Sequence, residues 1–301
     1  MKRIKSWLQG LGLATLVALM VVACGGEQSA DRPLSIGSKD FTEQFILGQL
    51  YGLFLENQGI PVELKLNLGG TPVAHEALKR GEIDVYPEYT GTALLTVLKE
   101  PSASDPQQVF ETVKAGYEAQ FQLTWLDPAP LNNTFALAMN RDRAENLGIQ
   151  TLSDLVAQAS DLVMIGPPEF MVREDGLPGL KETYGDFDLK NYVAVDPGLR
   201  YQGLQSGEAD VVVGFGTDGE ISAYDLKVLE DDLQFFPPYQ VAPVVRQESL
   251  DRFPTLAASL NQLSPLLTDE VMQDLNNEVS GKQRDPQEVA LEFLQQSGLW
   301  Q

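Results

Sequence analysis

GEIDVYPEYTGT, Gly81 to Thr92, and GEADVVVGFGTD, Gly207 to Asp218, decide the fold. Aligned without a gap, they share Gly, Glu, Asp and Val at the same offsets. Each then reaches an aromatic at the same later position, Tyr89 in the first and Phe215 in the second. The match extends upstream, where IGSKDF (Ile36 to Phe41) and IGPPEF (Ile165 to Phe170) both read Ile-Gly-x-x-acid-Phe. Between the paired motifs, VELKLNL and NYVAVD alternate like strands, while GGTPVAHEALKRG and PGLRYQGLQSG read as helices. Each half is therefore strand–helix–strand–helix–strand, the pattern of a parallel sheet flanked by helices. Ligands of open α/β sheets sit beyond the carboxyl ends of the strands. Tyr89 and Phe215 are thus expected as opposing walls of one cleft; the alternative is that both are packing residues at equivalent points of an old duplication.

Local signals fill in the rest. Thr71-Pro72 predicts an N-cap followed by Pro in the first helical turn, and Gly81 suits the stop. TEQFILGQLYGLFLENQG carries Phe45, Ile46, Leu50, Leu53 and Phe54 at helical spacing, so it predicts a helix with one buried face. Another helix is expected from Asp105-Pro106 onward, and helical segments follow Pro243. DPAP and DPGL read as turns, and the Phe235-Phe236-Pro237-Pro238 run as a stiff hinge segment between two lobes. Asp84 and Asp210, kept by the repeat, are expected to serve a turn or helix cap in each half, and Asp218 a helix cap.

Charge and composition narrow the function. The net charge of -22 speaks against nucleic acid, whose phosphates need a basic surface, and no such partner is expected. Ahead of the globular part, MKRIK precedes the uncharged run LGLATLVALMVVA and the single cysteine of the chain, Cys24. This is the build of a secretory signal, here residues 1–23, in a run too short for a confident membrane span. VVAC resembles the lipobox of bacterial lipoproteins, which implies a lipidated Cys24, a tether over residues 24–33, and an extracytoplasmic chain anchored to the membrane by lipid.

Beyond these elements, IGSKDFTEQFILGQL, LGGTPVAHEALKRGEIDVYPEYTGTAL, NNTFALAM, EFMVREDGLPGL, GFGTDGEI and FFPPYQVAPVV follow one another in a familiar order. In these stretches the chain resembles the substrate-binding proteins of osmoprotectant ABC importers, which take glycine betaine, choline, carnitine and related quaternary amines. The likeness runs from about residue 34 to 299. It implies the α/β, two-lobed periplasmic binding protein fold of type II, with the ligand cleft between the lobes. Lobe one would comprise residues 34–133 plus 242–301, and lobe two residues 134–241. It also implies a membrane permease as partner, and neither cofactor nor metal.

The family's site is a cage of rings around a trimethylammonium head. Tyr89 stands at the cage tyrosine of the EYTGT motif, with Thr92 beside the ligand. Phe135 and Phe215 occupy positions where relatives often have Tyr, and Tyr239 of FFPPY is the fourth ring. Arg173 matches the arginine that holds a ligand carboxylate. Lys39 and Gln44, in SKDFTEQ, match polar contacts at the cleft mouth. A quaternary ammonium has no N–H to donate, so ring faces are the natural receptor, each contributing on the order of 0.5–2 kcal/mol when desolvated. Rings alone suit choline; rings with Arg173 favour a carboxylated zwitterion, glycine betaine first. With Phe at two cage positions, hydroxyls that would fix ring orientation are missing, which points to weaker affinity or to a ligand bulkier or less polar than glycine betaine.

Other candidates read blandly. His75 is the only histidine and Cys24 is already assigned, so no His/Cys metal site can be assembled, and His75 is expected in helix packing or at the surface. No phosphate loop and no GxSxG elbow occur. The competing readings are an amino acid or other small organic ion as ligand, and an enzyme on the same fold.

Overall fold

Short, continuously apolar runs such as LSIG and VVVGF cannot leave a face to water, so they become central strands covered on both sides. The computed structural model describes residues 32–300; the expected signal segment and Cys24 lie outside the described residues. From Leu34 onward the chain forms one compact unit. Its strands are β1 Leu34–Gly37, β2 Val62–Lys65, β3 Val85–Tyr89, β4 Leu123–Trp125, β5 Phe135–Asn140, β6 Val163–Gly166, β7 Asn191–Ala194, β8 Val211–Phe215, β9 Leu226–Val228 and β10 Val241–Arg246. They build two five-stranded sheets of the same design, β2-β1-β3-β10-β4 and β7-β6-β8-β5-β9.

The duplication read from the sequence is therefore a duplication of sheets. It differs from expectation in one respect. The parallel trios β2-β1-β3 and β7-β6-β8 each gain an antiparallel neighbour, β10 against β3 and β5 against β8. These are the strands on which the chain enters the second sheet and returns to the first, and they run against the strands they join. Val241 already belongs to the first sheet, paired with Tyr89. The two connecting segments lie side by side: Asn133 N donates to Tyr239 O at 3.1 Å, and Ala129 N to Val241 O at 2.8 Å.

Asp84 and Asp210 act on strands rather than on turns or caps. Asp84 N donates to Ser35 O, while its Oδ2 accepts from Ser35 N at 2.9 Å, so it grips the neighbouring strand β1 at two points. Asp210 does the same to Val163 of β6, with Oδ2 at 3.0 Å from Val163 N. Arg252 and Arg143 complete the likeness, each 3.1 Å from its aspartate. The local sequence carries the Asp but not its partner, which the tertiary fold supplies. Asp218, directly ahead of helix Gly219–Ala223, also turns back on its strand, accepting from Phe215 N at 2.8 Å.

Helix α1, Thr42–Asn57, is buried around most of its girth, not on one face. Helices Leu256–Leu263, Asp269–Asn276 and Pro286–Gln296 cover the side that would otherwise meet water. Helix α2, Thr71–Lys79, starts one residue earlier than its threonine suggests, with Gly70 as N-cap and Pro72 in the first turn. Its His75 packs edge-on against Tyr117 and Phe121, at 5.3 and 4.9 Å, and burial lowers its pKa. Asp105 caps helix Pro106–Phe121 through Gln108 N, as its sequence predicts. Among the described residues, no helix is long and apolar enough to cross a membrane.

The two aspartate grips differ in burial, and so should their value. Asp84 is fully buried, and Arg252 beside it is nearly so. Asp84→Ala is expected to cost about 3–5 kcal/mol, the penalty for breaking a buried pair from one side. Asp210→Ala, opposite a half-exposed Arg143, should cost about 1–2 kcal/mol. Urea unfolding of the two variants measures the difference; equal losses would contradict it.

Candidate functional site

Strand register sets the rings. Phe135 at the start of β5 pairs directly with Phe215 at the end of β8, and their rings stack at 5.1 Å. Tyr239, just ahead of β10, meets Phe135 edge-on at 5.9 Å. Tyr89 ends β3 in the other sheet and is joined to Phe215 through Phe41, which stacks on Tyr89 at 6.1 Å and on Phe215 at 5.6 Å. Phe170 closes the cluster edge-on to Phe135 at 5.1 Å. All four ring positions singled out in the sequence thus come together, with two more that the motif reasoning passed over. Phe41 and Phe170 are the final residues of the two Ile-Gly-x-x-acid-Phe copies, so the repeat itself held the signal.

Tyr89, Phe135, Phe215, Tyr239 and Phe41 line one cavity between the two sheets, about 410 Å³ with its open mouth. Lys39, Thr92, Asn133 and Arg173 share that wall, as do the carboxylates Asp40 and Glu169, which have no hydrogen-bond partner among the described residues. Gln44 is absent from it. Its side chain is buried and spent on backbone, Oε1 accepting from Lys39 N at 3.0 Å and Nε2 donating to Pro87 O at 2.9 Å. Gln44 bolts the loop after β1 to β3. No group of three or more His, Cys, Asp or Glu among the described residues is placed to hold a metal ion.

Behind the rings lies a second layer of ionic and hydrogen-bonded supports. Lys39 Nζ sits 2.5 Å from Glu88 and 5.1 Å from the centre of the Tyr89 ring. Arg173 is forked onto Asp175, its Nε donating to Oδ1 at 2.7 Å and its Nη2 to Oδ2. Nη2 also reaches Thr92 Oγ1 at 3.5 Å, and the guanidinium lies 5.4 Å from the Phe135 centroid. Burial alone would lower the Arg173 pKa, but the bond to Asp175 and its charge raise it above the ordinary value. Nη1 is the arm left without a partner among the described residues. Asp175 Oδ2 also accepts from Tyr239 Oη at 2.5 Å, fixing that ring. Under Phe215 lies Arg200, 5.3 Å from the ring centroid and 2.6 Å from Asp218, whose carboxylate takes Phe215 N. Phe215 has no hydroxyl to orient it; this guanidinium platform and backbone bond do so instead.

Tyr89 is held from behind by Glu43, whose Oε1 accepts from the phenol at 2.7 Å. Burial raises the Glu43 pKa, and burial with the nearby Glu43 charge pushes the Tyr89 hydroxyl well above its usual range. Glu43 lies in the SKDFTEQ stretch between two residues picked from the sequence, Lys39 and Gln44, and was not itself picked. Its partners Asn133, Thr217 and Asn276 are far away in the chain, so only the fold reveals it.

Gly91 explains why the YTGT motif needs its glycine. A Cβ there would stand 2.8 Å from Pro238 O and 2.8 Å from ring atoms of Tyr239. Gly91→Ala is therefore expected to push the Tyr239 segment away and cost about 1–3 kcal/mol by overpacking. Thermal and urea unfolding test this, and an unchanged midpoint would contradict it.

Comparison with known proteins agrees with this architecture. The family model described as the substrate binding domain of ABC-type glycine betaine transport system matches residues 32–296. An ergothioneine transport permease/ergothioneine binding protein of Helicobacter pylori (strain G27) is 38% identical over 89% of this chain and 48% of its own length. The chain thus spans about half of that relative. A glycine-betaine-binding protein of Pseudomonas aeruginosa is 37% identical over 94% of this chain and 95% of its own length. The crystal structure of a glycine betaine/carnitine/choline ABC transporter protein superposes with a TM-score of 0.73 at 34% identity, covering 89% of this chain and 100% of that one.

Proposed function

The chain belongs to the family of substrate binding domains of ABC-type glycine betaine transport systems, and we propose that it captures a quaternary ammonium osmoprotectant, glycine betaine first, in its ring-lined cavity. The observation that carries this reading is the cluster of Tyr89, Phe135, Phe215, Tyr239 and Phe41 on one interlobe cavity, with Arg173 and Thr92 on the same wall. A trimethylammonium group loses little by leaving water, because it donates no hydrogen bonds. Three or four ring faces at about 0.5–2 kcal/mol each then suffice for micromolar binding after the entropic losses of association. A carboxylate would take the open Nη1 of Arg173 and the Thr92 hydroxyl. Because Asp175 already holds the other side of the guanidinium, this clamp has one arm rather than two.

In this reading the lobes, residues 34–133 with 242–301 and residues 134–241, close about the paired connecting segments, and the closed form is what a membrane permease accepts. No chemical step is involved, in keeping with relatives named as binding proteins. Cys24 would carry the lipid that keeps the chain at the outer face of a membrane.

A second reading is favoured by Asp40 and Glu169, two wall carboxylates that hydrogen-bond nothing among the described residues. They suit a bulkier betaine that also bears N–H or O–H donors, such as carnitine or the ergothioneine for which one relative is named. Isothermal titration of residues 31–301 with glycine betaine, choline, carnitine, ergothioneine and proline distinguishes the two. Tyr89→Ala should abolish binding of every quaternary amine. Arg173→Lys keeps a charge for Asp175 and removes the open arm, so it should cost betaine about 10- to 100-fold and spare choline. Glu169→Gln should weaken only a donor-bearing ligand. Saturable binding of proline alone would overturn both readings.

A further inference from the structure

Three carboxylates are more than nine-tenths buried behind the rings, Glu43, Glu88 and Asp175. Glu88 faces Lys39 and Asp175 faces Arg173; Glu43 has no salt bridge among the described residues. It is instead surrounded by four neutral donors, two per oxygen. Tyr89 Oη and Asn133 Nδ2 reach Oε1, each at 2.7 Å; Thr217 Oγ1 and Asn276 Nδ2 reach Oε2 at 2.5 and 3.0 Å. Both asparagines point their amide nitrogens inward at a cost to themselves. Asn133 Oδ1 and Asn276 Oδ1 are buried and unpartnered. A protonated carboxyl would offer one oxygen a proton and would reward a carbonyl; four converging donors fit an anion. An anion buried without a cation is expensive unless a positive charge arrives from elsewhere.

We infer that Glu43 is the buried counter-ion of the ligand's cationic head, acting through the Tyr89 hydroxyl and making the cavity select a cation over a neutral group of the same shape. This rests on the proposed quaternary ammonium reading and names the residue that sets its charge preference. Glu43 does not line the cavity, so it is a positioning residue. Its carboxylate lies one hydrogen bond behind Tyr89. A cation within about 6 Å of that ring's centre feels the charge across a dry path, where Coulomb attraction is far stronger than in water. The hydrogen bond also feeds electron density into the phenol, whose face the cation meets. Lys39, near the same ring, is neutralised by Glu88 and does not cancel the effect.

The decisive probe pair is glycine betaine and 3,3-dimethylbutanoate, which has carbon in place of the quaternary nitrogen and keeps the carboxylate. Calorimetry with the mature chain, Glu43→Gln and Tyr89→Phe gives the ratio of the two dissociation constants. The wild type should prefer betaine strongly. Glu43→Gln should shrink that ratio about 10- to 30-fold, and Tyr89→Phe, which cuts the bond but leaves the charge, should shrink it less. The wild-type ratio should also fall as the pH is lowered through the Glu43 pKa, which burial raises above the ordinary carboxyl value, because the negative charge is present only above it. The groups facing Glu43 that carry charge or titrate are Tyr51 on its own helix, Tyr89 from β3, and Asp218, paired with Arg200, from lobe two. The first connecting segment and helix Asp269–Asn276 bring neutral amides. In Glu43→Gln the pH dependence should flatten. Equal weakening of both probes by Glu43→Gln would make Glu43 merely structural and overturn the inference; if that variant fails to fold, Tyr89→Phe decides, and a ratio it leaves at the wild-type value overturns the inference. If the wild type binds betaine no better than its carbon analogue, the quaternary ammonium reading itself falls, which is a different result from a strong preference indifferent to Glu43.

Discussion

An aspartate at the head of each central strand fixes the register on which the site depends. Asp84 and Asp210 each hold the adjoining parallel strand through their backbone N–H and their carboxylate together. In a strand the side chains alternate faces, so a slip of one residue would send Tyr89 or Phe215 to the opposite side of its sheet. With the register pinned at the start, the ring five residues later arrives at the carboxyl end of the strand every time. Two such strands, in two sheets, deliver two rings to one cavity.

This is why the duplication was legible in the sequence. The repeated motif contains the pin, the apolar strand and the ring within a few adjacent residues, and local order maps directly onto local geometry. Features built from distant residues were not legible. The antiparallel β5 and β10 are apolar like any buried strand, and their direction depends on where the chain crosses between sheets. The apolar residues of helix α1 are spread around most of its girth, and the helices after residue 255 cover the side that the neighbouring strands do not. The family resemblance places Gln44 at the cleft mouth, but the first turn of α1 directs its side chain to the backbone of Lys39 and of β3. Glu43, one position earlier, gathers four donors from elements spread across the chain, and no short motif can announce that.

The supports behind the rings share one economy. Lys39, Arg173 and Arg200 each lie near one of the cavity's rings, and each is matched by a carboxylate of its own. Ion pairs in this setting orient the rings without adding net positive charge that would repel a cation. They also take over from the hydroxyls that Phe135 and Phe215 lack: Arg173 stands by the first, and Arg200 with Asp218 by the second. Among the described residues, Glu43 behind the cavity and Asp40 and Glu169 on its wall are carboxyl groups without an ion pair. A cationic head among rings, with a carboxylate limited to one open arm of Arg173, is the ligand this distribution suits.

The central claim is a location, and a crystal structure of the protein grown with glycine betaine tests it most directly. The account predicts the trimethylammonium group packed against Tyr89, Phe135, Phe215 and Tyr239, with the carboxylate at Arg173 Nη1 and Thr92 Oγ1. A ligand whose carboxylate lay among the rings, or whose head bound away from them, would contradict it.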